Sequence, residues 1–207
     1  MGRPLEIISP SQYVLGRKLT ACFAQILYLI GGLLSRSGRV NAAARETLQA
    51  KRELCRYLLR LCPWWAAGHL ELGLLELELS TLVSDKATSM RLLSGARLSA
   101  EAVVKLEGLP KTLGGKGNDT LIVRGRALQG LVLIRHNRLN EGLDILKHSL
   151  ALNNESRLTA QLRLAALEAA GSAALVCGDE GLALEFLNRA EKLSPEAQLT
   201  LESITSR

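Results

Sequence analysis

The chain has 207 residues, enough for one good-sized domain or an elongated array of helical units. Its apolar content of 47% comes mainly from Leu and Ala, with aromatics at only 3%, which argues against a sheet built on alternating branched and aromatic residues and for closely packed helices. The net charge of +6 is uneven: residues 1–60 hold ten Lys/Arg against three Asp/Glu, and residues 61–207 hold sixteen against seventeen.

The first element is announced by Ser9-Pro10-Ser11-Gln12, where Ser caps, Pro takes the first helical position and Gln completes a capping box. Within the helix expected over 10–36 lies the uncharged run LTACFAQILYLIGGLLS, residues 19–35. Seventeen residues is the lower edge of a bilayer span at about 1.5 Å per residue. The run carries Thr20 and Gln25 with basic residues at both ends, and Leu27, Ile30, Gly31 and Leu34 fall in phase with Ala43 and Ala50, so a buried helix is expected, with a membrane anchor and an organellar targeting segment as the alternatives. The helix over 40–62 carries Arg45, Arg52, Arg56 and Arg60, spaced 7, 4 and 4, which fall on one stripe at about 100° per residue. Ala43, Ala50, Leu54, Tyr57, Leu58 and Leu61 fall on the other side. The stripe reads as a solvated helix back, or as a basic docking ridge for an acidic surface.

Pro63 ends this helix because it has no N–H to offer and crowds the preceding turn. Of the adjacent Trp64 and Trp65, one is expected to wedge between helices and the other to remain an exposed contact. Further helices are expected over 65–83, 86–107, 120–136, 139–152, 156–177, 180–193 and 195–205. Residues 108–119, GLPKTLGGKGND, read as a flexible Gly-rich loop ending on an N-cap Asp119. Short links make consecutive helices antiparallel neighbours, so the chain predicts hairpins over about 10–62, 65–107, 120–152 and 156–193, closed by a cap over 195–205.

Four glycines sit alike in the first helices of these hairpins: Gly31, Gly73, Gly130 and Gly171. In three hairpins a small residue follows twelve positions later, at Ala43, Gly142 and Ala183, then Thr47, Leu146 and Leu187, then Ala50, Ser149 and Ala190. The second hairpin shows no small residue at that distance, and Glu76 stands where the others carry Leu or Ala. With Leu27-Ile30-Gly31-Leu34, His69-Leu72-Gly73-Glu76, Arg126-Gln129-Gly130-Leu133 and Leu167-Ala170-Gly171-Ala174, this pattern resembles the tetratricopeptide repeat over residues 20–195. The family period is about 34 residues, whereas the glycines here are 42, 57 and 41 apart, as lengthened helices would give. The resemblance implies one all-α domain over 1–207, a short right-handed solenoid of stacked helical hairpins with a capping helix. It also implies a partner helix or peptide laid along the inner, aliphatic face, at Tyr28, Arg36, Leu70, Leu74, Arg124, Leu131, Arg135 and Glu168. The Lys/Asn/Arg clamp with which some members hold chaperone tails is absent, so a chaperone-tail adaptor is not expected.

The search for chemistry yields nothing that points to an enzyme. His69, His136 and His148 have no triad-like neighbours in sequence, and Lys116 of LGGKGND is followed by Gly117, not the Ser/Thr of a phosphate loop. Cys22, Cys55, Cys62 and Cys177 are scattered and read as reduced packing residues, so no metal or cofactor is expected. Asn118-Asp119-Thr120 and Asn154-Glu155-Ser156 match the glycosylation sequon without a secretory signal around them. The expectation is a cytoplasmic, non-enzymatic scaffold or adaptor for another protein. A membrane-tethered assembly factor held by residues 19–35, and an RNA-binding helical repeat using the basic helix, are the alternatives.

Overall fold

The computed structural model describes residues 42–112 and 117–193. All regular structure in these residues is helical. In chain order the helices are α1 (Ala42–Leu61), α2 (Ala66–Leu82), α3 (Lys86–Thr112), α4 (Asp119–Arg135), α5 (Leu139–Ser149), the single turn α6 (Leu152–Glu155), α7 (Ala160–Val176) and α8 (Glu180–Glu191). The expected helix and cap over 10–36 and 195–205, the apolar run 19–35, and Tyr28 and Arg36 lie outside the described residues.

Helix starts follow from side chains that accept otherwise unsatisfied backbone N–H groups. Asn118 accepts from Leu121 N at 3.2 Å, Thr159 from Leu162 N at 3.3 Å and Asp179 from Leu182 N at 3.1 Å. Asn118, not Asp119, is therefore the cap of α4. Thr159 also moves the start of α7 beyond the expected residue 156, and Asn154 turns back to donate from Nδ2 to His148 O at 3.0 Å, closing the end of α5. The Gly-rich stretch is shorter than expected, because α3 runs on through Gly108 and Pro110 to Thr112.

The last two hairpins are built to one backbone plan, displaced by 41 positions. Asn137 and Gly178 both take positive φ, 62° and 82°, just past the ends of α4 and α7. Arg138 N donates to Leu133 O and Asp179 N to Ala174 O, each at 2.9 Å. The close approaches match as well. A Cβ on Gly130 would lie 2.8 Å from the Leu146 side chain and 3.1 Å from Gly142 O; one on Gly171 would lie 2.8 Å from Leu187 and 3.4 Å from Ala183 O. The hairpin α2–α3 makes the same kind of contact by another spacing. A Cβ on Gly73 would lie 3.3 Å from Ala96 O and 3.2 Å from Ser99 Cβ, and 2.5 Å from Leu128 Cδ2 of α4. Ala96 is twenty-three positions after Gly73 rather than twelve, an excess of about three turns, so the helix face is preserved.

Consecutive helices pack on one another from α1 to α5 and again from α7 to α8; α5 also packs on α7, α2 on α4, and α4 on α7. One apolar cluster joins α4, α5, α7 and α8 around Leu131, Leu146, Leu167 and Phe186; a second joins α2, α3 and α4 around Leu70, Val103 and Leu128. A third holds α1 to α2 through Cys55, Leu59, Trp65 and Leu72, and Leu48, Leu79 and Leu92 extend it towards α3. No described helix is long and apolar enough to cross a membrane.

Candidate functional site: a basic cleft over a buried carboxylate

The α1 stripe is the origin of the site, and here the structure reverses the expected facing. Leu48, Cys55 and Leu59 are buried, and Arg52 falls between them at helical spacing. Tyr57 and Leu61, expected inside, are 59% and 56% exposed, and Ala50 is exposed too. The arginines do share a stripe, but it borders the core rather than opposing it. Only Arg45 and Arg60 of the four are exposed. The reason is an acid on another helix, which a single helical wheel does not contain.

That acid is Glu76 on α2, 1% exposed. Its Oε1 accepts from Arg52 Nε at 3.0 Å and from Arg56 Nη2 at 2.8 Å. A buried carboxylate needs such partners, because its desolvation is otherwise uncompensated. Glu53 lies beside the pair, 3.3 Å from Arg52 Nη1 and 3.8 Å from Arg56 Nη1. Glu76 thus stands at a position that in the other hairpins is apolar, and it ties α1 to α2 by charge.

Above this clasp α1 and α3 flank α2 and leave a cleft of about 440 Å³. Arg56, Leu59 and Arg60 form one wall, Gly95, Leu98 and Ser99 the other, and His69, Leu72 and Glu76 the floor. The α3 wall is low because Gly95 has no side chain. His69 donates from Nε2 to Pro63 O at 2.9 Å, so the neutral ring carries its proton on Nε2. Burial holds its pKa below the ordinary value, against the opposing pull of that carbonyl. Arg60 reaches the cleft with no ion pair among the described residues.

Of the two tryptophans, Trp65 is the one that is buried, at 3% exposure. Its indole lies where a Gly68 side chain would be, 2.1 Å from the position of a Cβ, so it is the wedge; Trp64 is half-buried. Beneath it Cys55 Sγ donates to Gly68 O at 3.2 Å, and burial, then Glu71, push the thiol up to about 12.

Among the described residues, the inner face expected to be an aliphatic groove is largely covered. Leu70 and Leu131 are 4% and 6% exposed, and they pack against neighbouring hairpins. Leu74 is half-buried between the same clusters, and Arg124 is held by donating from Nε to Arg157 O at 2.8 Å. Arg135 and Glu168 are exposed. The close stacking of α2, α4 and α7 consumes the face that was to receive a ligand. Sequence reading missed the cleft because its floor and walls come from three helices, although the lone acid Glu76 in an apolar stretch was its visible trace.

Among the described residues no group of His, Cys, Asp and Glu is placed to hold a metal ion. No family model, curated protein or solved structure matches the chain.

Proposed function

We propose that this protein is a non-enzymatic scaffold of tetratricopeptide-like helical hairpins that binds another protein. What supports the reading most is the congruence of the last two hairpins, where the left-handed residue, the closing hydrogen bond and the glycine-to-helix contact all recur at a displacement of 41. Repetition of one supersecondary unit extends a surface rather than building a single catalytic pocket. The third hairpin, α2–α3, keeps the same contact with lengthened helices. A cytoplasmic setting belongs to the same proposal.

The test is capture of a partner by the full-length chain, followed by reconstitution from purified components and titration calorimetry. A saturable complex of fixed stoichiometry supports the scaffold. A chain that forms no complex with any captured protein after purification overturns it. Carbonate extraction of the full-length chain checks the setting: retention in the membrane pellet would replace the cytoplasmic scaffold by a tethered one.

A further inference from the structure

We propose that the cleft between α1 and α3 receives an acidic, aliphatic segment of the partner protein, with a carboxylate on Arg60 and Arg56 and an apolar side chain against Leu98. The inference rests on the scaffold reading and adds the site and the chemistry of what it holds.

The electrostatic part comes from how the cleft's charges are spent. Among the described residues Glu76 is the only acid lining it, and its Oε1 is shared by Arg52 and Arg56. Glu53 beside Arg52 and Arg56 balances the clasp, so among the described residues the charge left over at the cleft is that of Arg60. Arg56 remains 42% exposed at its side chain, and Arg60, one turn further along α1, carries its charge to the cleft without an acid among the described residues. Two guanidinium groups one turn apart suit a carboxylate, which accepts planar, paired hydrogen bonds. Glu76 also holds Arg56 in place, so part of the ordering cost of binding is met in advance.

The apolar part is on the facing wall. Leu98 is 60% exposed, with Leu59 on the wall opposite and Leu72 in the floor. A ligand made of charge alone would leave this surface wet. A volume of about 440 Å³ is within the range of small binding clefts and takes a few side chains, not a folded element. Single-stranded nucleic acid is a poorer fit, because base stacking needs aromatic faces and, among the described residues, no Phe, Tyr or Trp lines the cleft. The exposed Tyr57 is on the opposite side of α1 from the buried Leu48 and Leu59.

Fluorescence anisotropy tests this with the full-length chain and a labelled peptide of Glu, Leu and Ala about three helical turns long. Its counterpart with Gln replacing Glu, and a labelled single-stranded RNA, serve as comparisons. The expected result is binding of the Glu peptide at least ~10-fold tighter than the Gln peptide. Arg60→Glu should remove that preference and Leu98→Asp should weaken binding several-fold, with circular dichroism unchanged because both side chains are exposed. Failure of the Glu peptide to bind, equal affinity for the Gln peptide, or indifference to Arg60→Glu overturns the proposal. So does tighter, steeply salt-dependent binding of the RNA. A captured partner that stays bound to Arg60→Glu would refute the cleft while leaving the scaffold reading intact.

Discussion

Gly95 on α3 faces the carboxylate of Glu76 on α2 so closely that a Cβ there would lie 2.2 Å from Oε2. The missing side chain is thus a condition for the clasp, because the other carboxylate oxygen is already committed to Arg52 and Arg56. Gly95→Ala should push the carboxylate off its arginines and cost about 1–3 kcal/mol in chemical denaturation. In a Glu76→Ala background the same change should be neutral or stabilising, since it then only improves helix propensity. Additive costs in this double-mutant cycle would show that Gly95 and Glu76 do not act on each other.

Leu131 separates a surface role from a core role. At 6% exposure, packed with Leu146 and Leu167 in the cluster of α4, α5, α7 and α8, it has no free face for a ligand. Leu131→Ala should cost about 2–5 kcal/mol, and Leu131→Glu should abolish the cooperative transition by burying an unpaired charge. Leu175→Glu, on the 40% exposed Leu175 of α7, should shift stability by no more than about 0.5 kcal/mol. Urea melts followed by circular dichroism distinguish these outcomes.

Cys55 should be chemically silent in the folded protein. Its thiol is 1% exposed, donates to Gly68 O and is pushed up to about 12, so almost no thiolate forms near neutrality. Iodoacetamide at about pH 8 should alkylate the exposed Cys177 quickly and Cys55 only through unfolding. Peptide mapping over time reads both. Equal rates would mean that α1 does not stay on α2.

His69 should make stability depend on mild acid. Burial lowers its folded-state pKa, so the unfolded chain takes up the proton first. The contribution is complete above about pH 6.5 and is lost as pH falls through that value towards the folded pKa. The urea midpoint should fall between about pH 7.5 and about pH 5.5, and His69→Gln should flatten that fall. A variant with the same slope as the parent would assign the effect to another group.

The sequence by itself determined the helices and much of their pairing. The helical class follows from Leu and Ala without strand-like alternation, and a turn chemistry as local as Asn137 or Gly178 is visible one residue at a time. The repeat of Gly130 to Gly142 at the spacing of Gly171 to Ala183 was legible because both partners lie in one short hairpin. Gly73 and Ala96 were not matched, because three further turns separate them and the eye looks for a constant interval.

Only the tertiary structure decided which faces are covered. Helical periodicity sorts residues into stripes, but it gives a stripe of arginines the same outward reading whether it meets water or a carboxylate. Glu76, arriving from another helix, turned Arg52 and Arg56 inward and left Tyr57 outside. The stacking of α2, α4 and α7 likewise closed over Leu70 and Leu131. Burial is a property of pairs of helices, and the chain order of one helix does not contain its neighbour.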